Sequence, residues 1–447
     1  MQQSQSLPFD MPPIQTPCFP ERTFDVRGFD AVGDGATLNT AAFGRAIEAC
    51  HGAGGGVVLV PAGTWLTGPI HLRSNVNLRL EREALVRFST CYTDYLPVVF
   101  TRWEGVECYN YSPLIYALGC TNIAITGEGT FDGQGQVWWH WKQAQHVAAR
   151  TLYDAEFDGV PVERRIYGTE TAALRPQFFQ PIGCRNVLVE GVTFLNGPMW
   201  MMHPVYCENL VVRAVTLNSS GPNTDGLNPD SCRNVLIEDC SFSTGDDCIA
   251  INSGMNEDGW RVGRPCENIL IRNCRMREGH GAVAIGSGMS GGVRNVYVHD
   301  CHFSGGDQGI RLKSMRGRGG IVENIYFSNI RMSGMRREAI VLSMFYGSST
   351  APSRSDAPPV FRNVRIQDVI CDSAGVAVDI CGLSEQRIEH VALERARVNA
   401  VQGIRCREVN GLTLREVTGV VQEDPVFSCS NVQGLHAVDV VLEQRSP

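Results

Sequence analysis

Along most of the chain one short pattern of polar and apolar positions returns: any residue, asparagine, an aliphatic residue, any residue, then an aliphatic residue or phenylalanine. It reads Thr121-Asn-Ile-Ala-Ile, Arg185-Asn-Val-Leu-Val, Glu208-Asn-Leu-Val-Val, Arg233-Asn-Val-Leu-Ile, Glu267-Asn-Ile-Leu-Ile, Arg294-Asn-Val-Tyr-Val, Glu323-Asn-Ile-Tyr-Phe and Arg362-Asn-Val-Arg-Ile, with eroded copies near His390 and Asn410. Apolar residues two apart mark a strand with one buried face. From Asn186 to Asn324 successive asparagines stand about 23 to 34 residues apart, the length of one supersecondary unit. A unit that short holds two or three strands with their turns and no helix of about ten residues besides. A solenoid that alternates strands with helices is thereby excluded. What remains is an all-β fold, a single-domain parallel β-helix whose coils stack strand on strand. The repeated asparagine is expected at the turn, its amide bonding turn backbone and its backbone tolerating the left-handed region.

Residues 1–23 read as an extended leader and 24–447 as the β-helix domain. Phe24 to Gly35 predicts a strand and a turn. Asn39-Thr40 then offers an N-cap for a helix over Ala41 to Cys50, with Phe43, Ala46, Ile47 and Cys50 on one face. Such a helix ahead of a repeat array is expected to cap it, covering apolar surface that the first coil would expose. The glycine run from Gly52 to Gly56 lacks the Gly-Lys-Ser/Thr of a phosphate-binding loop. The rhythm breaks between Gly135 and Pro176, so 136–176 is expected to be a long loop inserted near the cleft; connections of that length are normally functional or disordered. Trp138-Trp139-His140-Trp141 favours order. Trp138 is a candidate for stacking on a sugar ring, and anchoring of the loop to the coil is the alternative.

Between Gly221 and Lys313 polar groups recur at one position of the repeat. Asn223-Thr224-Asp225, Asp246-Asp247, Gly279-His280-Gly281 and Arg311-Leu312-Lys313 each precede or occupy a short apolar run, through Leu227, Ile249, Val283 and Ile310 in turn. With those strands stacked as consecutive rungs, the four apolar residues fall in one interior column. Asp246 then shares a level with His280 and Asp225 with Asp247, while Arg311 and Lys313 point outward. Strict alternation would turn Asp247 inward with Ile249, so a bend is expected ahead of that strand. Residues far apart in sequence thus line one patch.

Composition changes this picture little. A chain of 447 residues with 43% hydrophobic content can bury a large core, and 47 glycines with only 19% charged residues suit a β-rich protein. The net charge of −8 argues against nucleic acid or an anionic membrane as a general partner. It leaves room for a polyanionic substrate, because Arg311, Lys313, Arg316, Arg318, Arg331, Arg336 and Arg337 gather positive charge beside the patch. No apolar run reaches about 18 residues, so no membrane span is expected. Met1-Gln-Gln-Ser-Gln-Ser lacks the basic and apolar regions of a signal peptide. The expected location is cytoplasmic, or secreted or periplasmic if a signal has been removed. The 17 cysteines are odd in number, and Cys120, Cys184, Cys207, Cys232 and Cys266 open the same motif that Cys240, Cys274 and Cys301 close. Repeat-equivalent cysteines read as stacked core residues rather than disulfides. No Cys-x-x-Cys or His-x-x-x-His supports a metal site, and no cofactor is implied. Gly288-Met-Ser290-Gly-Gly292 matches a nucleophile elbow, but no helix follows it.

Carboxylates facing one another on a rigid sheet suit hydrolysis of a glycosidic bond, in which one carboxyl protonates the leaving oxygen and another activates water. Crowding Asp225, Asp246 and Asp247 is expected to raise the pKa of at least one by like-charge repulsion. An Asp-Asp pair alone is weak, since such pairs also form turns or bind calcium; with a third Asp, a His and Arg-x-Lys on neighbouring rungs it is much stronger. These four motifs, in this order, resemble the signature motifs of glycoside hydrolase family 28, the polygalacturonases, whose fold is a right-handed parallel β-helix. The resemblance implies inverting hydrolysis of α-1,4 bonds in polygalacturonate or oligogalacturonides, with Asp246 as general acid, Asp225 and Asp247 activating water, and His280 supporting the acid's protonation. It further implies that Arg311 and Lys313 bind a galacturonate carboxylate, with Asn223 and Tyr346 also on the substrate side. Leu312 stands where many members have Ile, at an inward position.

Three further segments, Tyr95 to Gly105, Tyr109 to Pro113 and Pro198 to Pro204 with His203, resemble bacterial exo-acting members. An exo-enzyme is therefore expected, His203 is placed among the substrate-binding candidates, and the Trp-bearing insertion is expected to wall off one end of the cleft. Alternatives are an endo-polygalacturonase, a rhamnogalacturonan hydrolase, a calcium-dependent pectate lyase and a non-catalytic carbohydrate-binding β-helix. The Gly-His-Gly motif with three aspartates favours hydrolysis over elimination.

Overall fold

Strand pairing is parallel along the whole stack, and the hairpin Val99–Trp103/Val106–Asn110 is the antiparallel exception among the described strands. The computed structural model describes residues 7–347 and 355–445 and shows a right-handed parallel β-helix. Each coil carries three strands. The first sheet runs from Val76–Leu80 through Thr121–Gly127, Arg185–Glu190, Glu208–Arg213, Arg233–Glu238 and Cys266–Arg272. The second runs from Ala84–Phe88 through Thr130–Asp132, Thr193–Leu195, Thr216–Ser219 and Ser241–Thr244. The third links Ile70–His71, Ile115–Leu118 and Phe179–Ile182 to Ile249–Ile251, Gly281–Ile285, Gln308–Lys313 and Met335–Ser343, bridged by Met202 and Leu227.

Alternation places one residue type per level inside. Leu227 pairs with Ile249, Ile249 with Val283 and Val283 with Ile310, so the expected interior column exists, and all four are fully buried. The asparagines from Asn122 to Asn363 all adopt left-handed backbone, with φ between 54° and 57°. Their amides, however, donate to the asparagine of the preceding coil, as in Asn209 Nδ2 to Asn186 Oδ1 at 3.0 Å and Asn295 to Asn268 at 3.0 Å, rather than to turn backbone. The spacing fits this ladder: one coil rise separates identical side chains, so each amide can donate to the one before it and accept from the one after. All 17 cysteines are free, and those of the repeat are buried in the coil core.

The helix Thr40–Gly52 buries Phe43, Ala46, Ile47 and Cys50 as expected. Asn39 makes no capping bond. Its amide ties Val32, Thr37 and Leu66 together across two turns. The segment 136–176 is not an irregular loop: it contains helices Gln136–Trp139, Trp141–Ala144 and His146–Phe157. Ala149, Leu152 and Tyr153 on the last of these pack with Trp103, Val106, Leu174, Met199 and Met255 in a second apolar cluster outside the coil. No described helix is long and apolar enough to cross a membrane.

Candidate active site

The polar residues sit where the second sheet turns into the third. Ser241–Thr244 ends, the backbone bends through Gly245 and Asp246, and Ile249–Ile251 begins, which is the bend required for both aspartates to face outward. Backbone bonds lock the rungs in register: Gly226 N–H donates to Asp247 O at 3.0 Å, Cys248 N–H to Gly281 O at 2.8 Å and His280 N–H to Asp246 O at 3.0 Å. Gly281 is needed here because a Cβ would lie 2.7 Å from Asp247 Oδ1 and 3.0 Å from the Arg311 side chain. Gly279, at φ 145°, would meet Asp246 O at 2.7 Å. The Gly-His-Gly motif thus lets one rung's carboxylates lie directly over the next.

One oxygen from each of Asp225, Asp246 and Asp247 lies within 4.8 Å of the others. Asp247, fully buried, accepts from Arg311 Nη1 at 2.8 Å and from Lys313 Nζ at 2.6 Å, one cation on each oxygen. Asp246 accepts from His280 Nδ1 at 3.1 Å and from Asn223 Nδ2 at 3.3 Å. Asp225 accepts from Asn228 Nδ2 at 3.1 Å through one oxygen, and its other oxygen is buried without a protein donor. Burial, then the charges of Asp246 and Asp247, push Asp225 well above the usual carboxylate range. Burial alone would raise Asp246 too, but the His280 hydrogen bond and the charges of Lys313, His280 and Arg311 outweigh it and hold Asp246 at about 2. His280 is raised, chiefly by its bond to Asp246. One carboxyl is lifted, as expected, and it is Asp225, but burial contributes more to the rise than the like-charge repulsion that the crowding predicts.

The Tyr346 ring lies 5.1 Å from Lys313 Nζ and 5.7 Å from the Arg311 guanidinium and lines the cavity that Asp225, Asp246 and Asp247 face. The three carboxylates are close enough to attract a cation, and Arg311, Lys313 and His280 already supply positive charge to them.

Two expected substrate contacts are corrected. Trp138 is fully buried, packed against Tyr92, Tyr95, Tyr111 and Trp141, so it anchors the insertion to the coil and presents no face to a sugar. His203 is also fully buried, bonded to Gln180 at 2.9 Å and to Asp230 at 3.3 Å. Trp200 lines the cavity along with Tyr346, and its ring meets the His203 imidazole edge-on at 4.6 Å. His203 thus supports the cleft from beneath.

Other participants carry no repeat signal. Arg175, buried at the end of the insertion, donates to Asn223 Oδ1 at 2.8 Å and to Pro222 O at 2.6 Å, fixing the turn that carries Asp225. Burial lowers its pKa to about 10. Glu104 and Gly105 from the hairpin turn, Lys142 from the insertion and Arg318 also line the cavity. The hairpin and the insertion thus form one wall of the cavity, and Trp138 and Trp141 anchor that wall to the coil.

The description of Glycosyl hydrolases family 28 matches residues 167–433. A probable polygalacturonase from Vitis vinifera is 32% identical over 385 residues, 83% of this chain and 73% of that protein. An exo-poly-alpha-D-galacturonosidase from Dickeya chrysanthemi is 28% identical over 404 residues, 83% of this chain and 66% of the relative. The crystal structure of a hyperthermoactive exopolygalacturonase from Thermotoga maritima superimposes with a TM-score of 0.83 at 37% identity, over 95% of this chain and 93% of that one. With four motifs on consecutive rungs of a shared fold, the chain belongs to glycosyl hydrolase family 28.

Proposed function

We propose that the protein hydrolyses α-1,4 bonds of polygalacturonate from a chain end, releasing galacturonate. One observation carries this reading: three carboxylates, held by a histidine and two cations, face a cleft also lined by the hairpin turn and by Lys142 of the insertion, which we read as closing one end. A closed end admits a terminus and excludes a through-running chain. The exo-acting relatives from Dickeya and Thermotoga support the same reading.

Asp246 is the general acid because it alone is open to the leaving oxygen, with 18% side-chain exposure against none for Asp247. In the free site it is ionised and paired with His280. Substrate that displaces water from this pair disfavours both charges, so the proton on Nδ1 passes across the 3.1 Å contact to Asp246. Asp247, ion-paired to Arg311 and Lys313, accepts the proton of the attacking water, and Asp225 holds that water. The carboxyls are closer than the roughly 6.5–9.5 Å that leaves a water between two flanking groups. Inversion therefore requires the water to lie on the buried Asp225–Asp247 side, with Asp246 at the open edge. Arg311 and Lys313 keep unused donors for a substrate carboxylate.

The test is a time course of products from polygalacturonate with chelator present. Expected is galacturonate alone from the start, with little fall in viscosity, full activity in chelator, and the β-anomer appearing first by NMR. An early ladder of oligomers would overturn the exo reading, and loss of activity that calcium restores would favour a lyase. Asp246→Asn should lose about 10²–10⁴-fold in kcat while still binding oligogalacturonide; unchanged kcat would remove Asp246 from the acid's role.

A further inference from the structure

Three of the residues lining the cavity are cations, and they are not equivalent. Lys313 is bonded to Asp247 at 2.6 Å. Lys142 and Arg318 form no ion pair with any carboxylate among the described residues. Arg318 is only 1% exposed and donates from Nη1 to Asn256 Oδ1 at 2.5 Å, while its Nε is buried with no acceptor. Glu104 and Glu156 act on it only at longer range. Buried guanidinium donors without acceptors are costly, and a planar carboxylate is the partner that satisfies two at once. Met255 lines the cavity together with Glu104 and Arg318, and Asn256, the residue after Met255, holds the Arg318 guanidinium from behind.

We propose that Arg318, with Lys142 assisting, reads the carboxylate of the galacturonate at the closed end, so that the released residue must be a free acid. This rests on the exo reading above. Arg311 and Lys313, which share Asp247, then serve the reacting centre, and Glu104 is left to accept sugar hydroxyls. A methyl ester at the terminal residue removes the charge and one acceptor and leaves Arg318 unsatisfied.

The experiment is equilibrium binding of galacturonate and of its methyl ester to the full chain and to Arg318→Gln, Arg318→Lys and Lys142→Ala. The unchanged protein should favour the acid about 10–100-fold, the range of one charged hydrogen bond. Arg318→Gln should bring that ratio to within about threefold, chiefly by weakening the acid, and Arg318→Lys should recover part of it. Equal binding of acid and ester by the unchanged protein overturns the proposal. So does a folded Arg318→Gln that keeps the full ratio, since the charge would then be read by Arg311 and Lys313. Should Arg318→Gln fail to fold, Lys142→Ala on the accessible lip decides: its ratio must fall at least about threefold, and an unchanged ratio overturns the proposal. Failure of the exo reading shows separately, as oligomers in the product time course of the unchanged protein.

Discussion

The coil and the wall meet at the cleft and are held by different forces. In the coil, one column of the third sheet runs Ile70, Ile115, Phe179, Met202, Leu227, Ile249, Val283, Ile310 and Ile340, none more than 2% exposed. In the wall, charges are buried instead. Asp258, on the helix Asn256–Val262, accepts from Arg165 at 2.8 Å, from Arg261 at 3.0 Å and from the Glu107 amide at 3.0 Å. Arg102, fully buried beside the hairpin turn, donates to Asp230 at 3.0 Å. Apolar columns depend on volume and accept similar shapes, whereas a buried ion network has few geometries that satisfy it. The stack needs only to repeat. The wall has to stand at one place relative to Asp246, and directional bonds supply that.

Breaking the wall's hub gives the largest expected effect. Asp258→Ala strands Arg165, whose side chain is 3% exposed, and should cost about 3–5 kcal/mol. Ile271→Ala in the coil should cost a similar 2–5 kcal/mol. The two variants should differ in where the loss appears. For Asp258→Ala, proteolysis should begin within 136–176 and products should shift from galacturonate toward oligomers; Ile271→Ala should destabilise the coil and leave the product pattern alone. Hydrogen exchange checks this, and even loss of protection across coil and wall in Asp258→Ala would show that the two regions unfold as one.

A second, pH-dependent test separates them further. Glu156, buried on the wall helix His146–Phe157, accepts from Asn256 Nδ2 at 2.9 Å and from the Asp258 amide at 3.3 Å. Burial pushes it up to about 8, and the Asp258 charge adds to this while its hydrogen bonds and Arg318 partly oppose. Its folded pKa thus lies above the unfolded value of about 4.3. The associated stability is complete below the unfolded pKa and is lost as pH rises through about 8, an effect on the order of 5 kcal/mol. The thermal stability of the wall should fall from pH 5 to pH 9, and Glu156→Gln should flatten that slope. A slope that survives the substitution would move the titration to another group, with Asp225, also raised by burial, the next to replace.

The same division explains what could be read from sequence. The coil repeats, so each copy reinforces the others: the stack, the interior column, the bend before Ile249 and the juxtaposition of Asp225, Asp246, Asp247 and His280 all follow from alternation and spacing. The wall occurs once. Nothing local distinguishes Trp138 in the insertion from Trp200 in the cavity, because each stands three residues after a glycine and only the tertiary packing assigns their faces. Arg175 and Arg318 look like surface cations in sequence and are buried because distant segments close over them. His203 falls in a segment similar to exo-acting relatives, yet its neighbour Trp200 takes the exposed position and the imidazole turns toward Asp230. The asparagine of the repeat was legible as a left-handed turn residue; its bond to the next coil was not, since that depends on the stacking distance.

The smallest expected effect asks which of those two properties the repeat needs. Asn268 has φ 57°, donates to Asn234 at 3.1 Å and accepts from Asn295 at 3.0 Å. Asn268→Gly removes both amide bonds without opposing the backbone, and should cost about 0.5–1.5 kcal/mol by denaturant unfolding. Asn268→Ala removes the same bonds and also places a Cβ in left-handed backbone, adding about 1–2 kcal/mol. The difference between the two variants therefore measures the backbone contribution, and the loss in the glycine variant bounds the ladder. Equal stabilities for glycine and alanine would mean that the turn relaxes and the ladder alone accounts for asparagine. A glycine variant as stable as the unchanged protein would mean the reverse: the amide bonds only exchange with water, and the repeat keeps asparagine for its tolerance of positive φ, which would make the coil's polar edge as insensitive to side-chain identity as its apolar columns.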